Sequence, residues 1–237
     1  MNLDKPLISV VIPTYNRYKY LLRAIESVNQ QSYINNGGKI EIIVVNDKST
    51  DKEYYSMKED KNLKIIHLEK NTKELFGYAC AGYVRNIGIQ SSSGKYIAFL
   101  DDDDWWVPEK IEKQVEILEQ NENIEFCCTD GFLWKNGDVD CIYNKEGHWE
   151  YLKNKMKLDT SFPTIWTKQF LLIHNTVITS SVLVSKNILN KINNMKNIRN
   201  GEEDYDCWLR VFDYTDIYYL DEPLFYYDCH HGDGQLY

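Results

Sequence analysis

The sequence predicts an α/β fold with a mostly parallel central sheet in its first half and a mixed region in its second half. Short apolar runs alternate with amphipathic ones over roughly the first hundred residues, as in repeated βα units. After about residue 122 this alternation gives way to a hairpin pattern. The 237 residues, 43% of them hydrophobic, are enough for one such domain.

In the first half, four apolar runs have strand length and are separated by amphipathic stretches. A helix follows the first strand, with an apolar stripe from Tyr20 to Val28 and Asn16 as its N-cap. A second helix is predicted from Gly77 to Gln90, and Pro108 opens a third at its first turn. The strands are predicted at Ile8 to Ile12, Ile40 to Val45, Lys64 to Leu68 and Tyr96 to Leu100.

The second half begins with a predicted hairpin, because Asn136-Gly137 separates Glu125 to Trp134 from Asp138 to Tyr143. The polar stretch Lys153 to Thr160 fits a mobile loop or a solvated helix. The remaining elements are a strand at Thr176 to Val184 and helices at Lys186 to Asn194 and Asp204 to Phe212. This half is therefore antiparallel or mixed.

Composition narrows the classes of protein. A net charge of −9 and a pI near 5.1 argue against a nucleic-acid binder, which usually carries clustered Lys and Arg. No apolar stretch reaches the roughly 18 to 20 residues that span a bilayer, and the N-terminus is unlike a signal peptide. We expect a cytoplasmic protein with at most peripheral membrane contact, and a homodimer is left open. The six cysteines form no CxxC pair, so we expect them reduced and mostly buried.

The strongest local motif is FLDDDDWWVPEK, which places Asp101 to Asp104 after a predicted buried strand and before a helix. Ligands of open α/β sheets bind at such strand ends. Four adjacent carboxylates repel one another, and a magnesium or manganese ion bound by their oxygens offsets that charge. A solvated acidic loop that caps the helix is the alternative. Trp105 and Trp106 argue against the solvated-loop interpretation, because two indole rings suit the wall of a site better than a solvated loop.

Two further motifs end the first and second strands. VVIPTYNR brings Pro13, Thr14 and Tyr15 to the ligand edge, where the tyrosine ring can stack on a base. VVNDKSTD places Asn46 and Asp47 where a carboxylate can accept a hydrogen bond from a base N–H. A Pro turn explains the first motif about as well, and an Asx or ST turn explains the second.

The motif GEEDYDCWLRV begins a late helix. Glu202, Glu203 and Asp204 lie at the positive end of the helix dipole, where capping alone explains one or two acids. A general base needs a carboxylate close to an acceptor hydroxyl, and a helix start that points at the ligand edge supplies one.

Taken in order, VVIPTYNR, VVNDKSTD, RNIGIQSSSGKYIAFLDDDDWW and EEDYDCWLR resemble the inverting nucleotide-sugar glycosyltransferases of the GT-A fold, family 2. The resemblance spans Ile8 to Val211. It implies a Rossmann-like nucleotide-binding half and a mixed acceptor-binding half. It also implies a hexosyltransferase-type enzyme that uses manganese or magnesium and a nucleotide-sugar donor, commonly UDP-linked, and works in surface polysaccharide or glycan biosynthesis. The acceptor is a saccharide or lipid-linked saccharide.

The resemblance also assigns roles within the donor site. Pro13 and Tyr15, with Thr14 between them, match the segment that holds the nucleobase, and Asp47 matches the acid that pairs with it. The DxD motif of the family falls on Asp101, Asp102 and Asp103, with Asp103 as metal ligand and Asp101 or Asp102 nearer the ribose. Arg85 and Asn86 match a stretch that approaches the donor, and a structural role for Arg85 is equally open.

On the acceptor side, the acid dyad of the family falls on Glu203 and Asp204, with Asp204 the chosen base and Glu203 the fallback. His231 or His230 matches a histidine near the diphosphate and is a candidate metal ligand, with a surface His pair as the alternative. Two positions depart from the family pattern. Asn46 stands where an acid is common, and Asp102 stands where a small residue is usual.

The expected organisation is a single domain over residues 1–237, with a nucleotide-sugar-binding half at 1–106 and an acceptor and catalytic-base half at 107–237. Trp134, Trp149 and Trp166 can stack on sugar faces or pack in the core. Two other functions remain open. A sugar-1-phosphate nucleotidyltransferase needs a Gly-rich basic loop after the first strand, which PTYNRYKY does not supply. A catalytically silent nucleotide- or carbohydrate-binding protein is the second.

Overall fold

The computed structural model describes residues 5–156, 162–199 and 201–229. Its first half alternates strands and helices as the sequence predicts, because each apolar run is bounded by polar turns. The strands are β1 (Leu7–Thr14), β2 (Lys39–Asn46), β3 (Leu63–His67) and β4 (Tyr96–Phe99). The helices are α1 (Tyr18–Asn29), α2 (Ser32–Asn35), α3 (Glu53–Ser56), α4 (Thr72–Phe76) and α5 (Ala81–Ser91).

The second half has short helices and strands of very unequal length. Its strands are β5 (Trp105–Trp106), β6 (Phe126–Lys135), β7 (Asp138–Ile142), β8 (Ile165–Trp166), β9 (Leu183–Ser185) and β10 (Ile217–Asp228). Its helices are α6 (Lys110–Gln120), α7 (Trp149–Met156), α8 (Lys168–Leu171), α9 (Lys186–Lys191) and α10 (Glu203–Val211). A π-helical segment, Tyr143–His148, leads into α7, and a 3-10 turn, Thr179–Ser181, precedes β9.

The ten strands found among the described residues belong to one sheet, in the order β3-β2-β1-β4-β9-β6-β10-β5, with β7 beside β6 and β8 beside β10. Strands β1 to β4 are mutually parallel, which puts their carboxyl ends at one edge. Strand β9 is antiparallel to both β4 and β6, whereas β6 and β10 are parallel. The predicted α/β fold with a mostly parallel half and a mixed half is confirmed.

The core lies on both faces of this sheet, because successive side chains of a strand point to opposite faces. Ile8, Val10 and Ile12 of β1 join one buried cluster, which α1 and α6 cover. Val11 joins the other, with residues of α9 and α10. Helix α5 approaches β1 closely at Gly88, where an added Cβ would lie 2.4 Å from Cγ1 of Val11.

Three predicted helix boundaries are wrong. Asn16 does not cap α1: it has a positive φ of 53°, and its Oδ1 accepts from the Thr50 backbone N–H instead. Gly77 does not begin a helix but ends α4 with a left-handed φ of 77°, which glycine adopts readily. Pro108 lies two positions before α6 rather than in its first turn.

In the second half the hairpin is confirmed, with β6 and β7 antiparallel and Asn136-Gly137 at positive φ in the turn. The strand predicted at residues 176–184 is largely wrong, because a 3-10 turn occupies its middle and strand pairing begins only at Leu183–Ser185. Helix α7 supports the helical alternative for Lys153 to Met156, and residues 157–160 lie outside the described part of the chain.

Cys80, Cys127, Cys128 and Cys207 are buried, which agrees with the expectation that most of the cysteines are buried. Over the described residues, no helix combines the length and the apolar character needed to cross a membrane.

Candidate functional site

A cavity of about 240 Å³ lies at the carboxyl edge of the parallel strands. Pro13 of β1 and the acids that follow β4 form one wall, and Tyr227 near the end of β10 forms another. The charged residues lining the cavity are Arg17, Arg85, Asp101, Asp102, Asp103 and Asp228. The position agrees with the general rule for α/β sheets, in which strand ends that meet at one edge carry the ligand site.

The four acids of the run are buried to different degrees. The side chains of Asp101 and Asp103 are 28% and 16% exposed, whereas Asp102 and Asp104 are 1% and 0% exposed. Asp101 and Asp103 are thus the two that a ligand in the cavity reaches most easily. The acidic run is therefore not a fully solvated loop, and its four carboxylates differ in how accessible they are to a ligand.

Arg17 neutralises part of this charge. Its Nη1 lies 2.5 Å from Oδ2 of Asp103, and its Nη2 lies 3.1 Å from Oδ1 of Asp102. Burial raises the pKa of Asp102 to about 7, although the adjacent Arg17 guanidinium favours the ionised form. Within the described residues, neither carboxylate oxygen of Asp102 has a hydrogen-bond partner, so this guanidinium is its main compensation.

Asp104 ties the acidic run to β10. Its Oδ1 accepts a 3.0 Å hydrogen bond from the backbone N–H of Asp228, and burial raises its pKa well above the usual range. Arg23 reinforces the same junction, because its Nη2 donates to Oδ2 of Asp228 at 2.9 Å and to the Asp103 carbonyl at 2.5 Å. Its guanidinium also lies 3.8 Å from the Trp105 ring centre. Asp104 therefore has a structural position behind the cavity.

Arg85 joins the acidic run to the late acid dyad. Its Nη2 donates to Oδ1 of Asp101 at 2.6 Å, and its Nη1 donates to Oε1 of Glu203 at 2.7 Å. Burial alone would lower the pKa of Arg85, but Asp101 and Glu203 raise it above the usual value, so the group stays charged. The guanidinium is thus a structural link that also lines the cavity, and its contact with a donor stays a prediction.

The two acids of the dyad differ in their surroundings. Glu203 is 4% exposed and held by Arg85. Asp204 accepts hydrogen bonds from the Thr179 hydroxyl at 2.9 Å and from the backbone N–H of Tyr205 at 2.5 Å. Burial raises the pKa of Asp204 above its ordinary value despite these bonds, which makes its carboxylate a stronger base.

Of the residues predicted to hold the nucleobase, Pro13 lines the cavity, whereas Thr14, Tyr15 and Asp47 do not. Thr14 Oγ1 shares a 2.8 Å hydrogen bond with the Tyr54 hydroxyl, and Tyr15 is half-buried. Asp47 accepts from both the backbone N–H and the hydroxyl of Thr72, at 2.8 and 2.6 Å, at the start of α4. Burial raises the pKa of this carboxyl. Each oxygen of the Asp47 carboxylate keeps a second lone pair that can accept a further hydrogen bond. The pairing of Asp47 with a base therefore stays a prediction.

Asn86 and two of the three candidate tryptophans have packing roles. The Asn86 side chain pairs with the backbone of Met195 through 2.7 and 3.0 Å hydrogen bonds. Trp166 is fully buried against Tyr219, and Trp149 packs on Phe162. Trp134 makes an edge contact with Trp105, the residue that directly follows the acidic run.

Carboxylate oxygens suit a hard divalent cation. In the part of the chain that the structure describes, no group of three or more His, Cys, Asp or Glu side chains is arranged to hold a metal. Asp102 and Asp103 both contact the guanidinium of Arg17, and the Asp102 oxygens have no hydrogen-bond partner among the described residues, so negative charge remains to be offset there. These residues fit a cation held by one or two carboxylates and by a ligand phosphate. His230 and His231, the other candidates, lie outside the described residues.

Sequence reasoning missed Arg17, Arg23, Thr179, Tyr227 and Asp228. Arg17 is the last residue of the VVIPTYNR motif, and its charge in the loop after a predicted strand was the available signal. The other four carried no local signal, because only the tertiary fold brings them to the acids.

A family model described as Glycosyl transferase family 2 matches residues 9–171. The chain is 32% identical over 226 residues to an uncharacterised glycosyltransferase of Rickettsia prowazekii, covering 94% of this chain and 64% of the relative. It is also 32% identical over 247 residues to an uncharacterised glycosyltransferase of Methanocaldococcus jannaschii, covering 99% of this chain and 74% of that one. The chain thus spans less than two thirds of the Rickettsia relative.

Two solved structures have a similar fold. TarS 1-349 of S. aureus in complex with UDP-GlcNAc has a TM-score of 0.70 at 18% identity, over 95% of this chain and 59% of that one. The mannosyltransferase PcManGT from Pyrobaculum calidifontis, in complex with GDP-Man and Mn2+, has a TM-score of 0.68 at 12% identity. That match covers 97% of this chain and 59% of the mannosyltransferase.

Proposed function

The chain belongs to glycosyl transferase family 2, and we propose that it transfers a sugar from a nucleoside diphosphate to an acceptor hydroxyl with inversion. The observation that carries this proposal is the Arg85 link. One buried guanidinium contacts both an acid beside the cavity, Asp101, and an acid of the dyad, Glu203. The two sets of acids are thereby held in one site, as a donor pocket and its catalytic base need to be.

Asp204 is proposed as the general base. Its raised pKa strengthens it as a proton acceptor, whereas Glu203 is bound to Arg85 and serves to position that arginine. Asp204 takes the proton of the acceptor hydroxyl as its oxygen attacks the anomeric carbon, on the face opposite the leaving diphosphate. One displacement of this kind inverts the anomeric configuration and needs no covalent intermediate.

The donor is proposed to be a UDP-sugar, with Pro13, Thr14 and Tyr15 beside the base and Asp47 pairing with it. TarS is known with UDP-GlcNAc and the mannosyltransferase with GDP-Man, so the fold accommodates either nucleotide. Asp101 and Asp102 line the cavity where a ribose and diphosphate would follow the base. The position of Asp47 directly after β2 supports its assignment.

Asp103 is proposed as the protein ligand of a manganese or magnesium ion, with His231 as a further candidate. Its carboxylate lines the cavity and is partly exposed, whereas Asp104 is committed to β10. When bound, such an ion neutralises the charge that develops on the leaving diphosphate. The structure of the mannosyltransferase with Mn2+ supports the choice of metal for this fold.

The acceptor is proposed to be a saccharide or lipid-linked saccharide in surface polysaccharide or glycan assembly, and the protein to work in the cytoplasm or at the membrane face. The division into a donor half at 1–106 and an acceptor half at 107–237 is supported by the sheet. Its parallel strands β1 to β4 end before residue 106, and the mixed strands follow.

Release of nucleoside diphosphate from a panel of nucleotide sugars, with and without manganese, tests the proposal. Wild type is expected to release UDP in the presence of an acceptor pool. Asp204→Asn is expected to lower kcat by about 10²- to 10⁴-fold, the usual contribution of a general base, with UDP affinity unchanged. Asp206→Asn is the matched control on the same helix, since Asp206 pairs with Lys196 and Arg210 instead.

Each contrary result has a distinct meaning. Full activity of Asp204→Asn would refute the base. Binding of UDP without turnover of any donor would favour a silent binding protein. Pyrophosphate production from a sugar-1-phosphate and a nucleoside triphosphate would favour the nucleotidyltransferase, which membership of family 2 already makes a poor candidate.

A further inference from the structure

The guanidinium of Arg17 occupies the centre of the acidic run. It contacts Oδ2 of Asp103 at 2.5 Å and Oδ1 of Asp102 at 3.1 Å, and its side chain is only 11% exposed. A positive charge therefore already sits on Asp103, the carboxylate proposed to bind the divalent ion. The arginine and the metal cannot both use that oxygen at full strength.

The backbone at Arg17 is anchored independently of its side chain. Its N–H donates a 2.8 Å hydrogen bond to the hydroxyl of Tyr54, a fully buried residue whose hydroxyl also bonds Thr14. The side chain can thus change partners while its backbone stays in place. Because Arg17 lines the same cavity as the acids, a diphosphate bound there lies within its reach.

Charge in the cavity favours such an exchange. Four carboxylates, Asp101, Asp102, Asp103 and Asp228, and two guanidiniums line it. A diphosphate adds negative charge and offers oxygens in the geometry that a guanidinium binds through two hydrogen bonds. A divalent ion entering alone must displace Arg17 without giving it another anion, whereas an ion entering with the diphosphate need not.

We propose that Arg17 is the resident counter-ion of Asp102 and Asp103 and makes metal binding depend on the donor, because the diphosphate takes over the guanidinium that the metal displaces. The inference rests on the proposed function and adds a positioning residue to it. Metal and donor then bind cooperatively, and the coupling free energy is shared by both ligands.

Binding of Mn2+ itself tests this, measured from the electron paramagnetic resonance signal of the free ion with and without UDP. In Arg17→Met, the Kd for Mn2+ without UDP is expected to fall by about tenfold, which is about 1.4 kcal/mol. The ratio of the two Kd values, without and with UDP, is expected to shrink by a similar factor. Lys19→Met, which removes a charge from an exposed neighbour, is expected to match wild type.

Arg17→Gln provides a second neutral variant, with a polar side chain, in case the methionine variant does not fold. Circular dichroism and the melting temperature check both. If the folded variants bind Mn2+ without UDP no more tightly than wild type does, the inference about Arg17 is wrong even though donor binding stands. If wild type binds neither UDP nor Mn2+, the proposed function falls first and takes this inference with it.

Discussion

The two halves of the sheet build their parts of the site in different ways. In β1 to β4 the strands are parallel, and the residues at their carboxyl ends, such as Pro13 and Asp101, reach the site through their place on the strand. In the second half the contributors come from a 3-10 turn, a helix start and the last residues of β10. Only long-range pairings bring these three places together.

The difference shows which functional residues can be predicted from the sequence alone. A parallel βα unit places the residue at the end of its strand at the ligand edge of the sheet, whatever follows in the chain. Site residues of the first half can therefore be predicted from local motifs. Thr179 and Asp228 depend on how distant segments pack. Arg85 connects the two halves, so a substitution of Arg85 is the most direct test of how far each half depends on the other.

The largest effect is expected for Arg85→Met. Removing the guanidinium leaves Asp101 and Glu203 without their buried partner, so the free energy of unfolding is expected to fall by about 3–5 kcal/mol. Urea denaturation measures it. Lys196→Met, which breaks an exposed pair with Asp206, should cost no more than about 1 kcal/mol. Equal costs for the two variants would mean that the halves do not depend on this link.

Gly88→Ala tests the close packing of the first half. An added Cβ would lie 2.4 Å from Val11, so we expect a loss of about 1–3 kcal/mol in unfolding free energy from overpacking. Gly147→Ala is the control in the second half, because its nearest neighbour is the Cys141 sulfur at 3.9 Å. A tolerated Gly88→Ala would show that α5 can move off β1 freely.

Tyr54→Phe tests the anchor of the loop after β1. Loss of the hydroxyl removes its bonds to Thr14 and to the Arg17 N–H, with an expected cost of about 1 kcal/mol by thermal denaturation. Tyr55→Phe is the control, since that ring is 54% exposed and its hydroxyl bonds only Ser49 among the contacts the structure gives. A larger loss in Tyr55→Phe would contradict the assignment of the anchor to Tyr54.

The smallest change is expected for Thr179→Val, which sharpens the account of the second half. The Thr179 hydroxyl favours the ionised form of Asp204, so removing it raises the pKa of that carboxyl further. Because the base must be deprotonated, activity falls as pH drops through this pKa. The acid limb of the pH profile for kcat is therefore expected to move to higher pH. Ser181→Ala, whose hydroxyl bonds Ile178, should leave it unmoved.

Most of the first half was predictable from the sequence, because apolar runs of strand length alternate with amphipathic stretches there. Asp101 and Asp103 followed from one motif at a strand end. Their unequal burial relative to Asp102 did not, since it depends on Arg17 and on the chain around it. The roles of these residues in binding remain predictions.

Less of the second half could be predicted from the sequence, because its site contacts join segments that are distant in the chain. The hairpin at Asn136-Gly137 was predicted correctly because its turn is local. The segment before β9 was predicted as a strand but contains a 3-10 turn, in which the Ser180 hydroxyl accepts a hydrogen bond from the Asp101 backbone N–H. Neither that contact nor the junction of Asp228 with Asp104 has a local sequence signal.

The late position of β10 has a consequence for synthesis on the ribosome. Trp105 pairs with Tyr226, and Asp104 receives its hydrogen bond from Asp228. A nascent chain that has emerged only as far as the end of α10 carries the whole acidic run but neither of these partners. Asp101, Asp102 and Asp103 have partners, Arg85 and Arg17, that are synthesised before them, whereas Asp104 gains its contact with β10 only after more than a hundred further residues are translated. The acidic run is thus synthesised early, and its contact with β10 forms late.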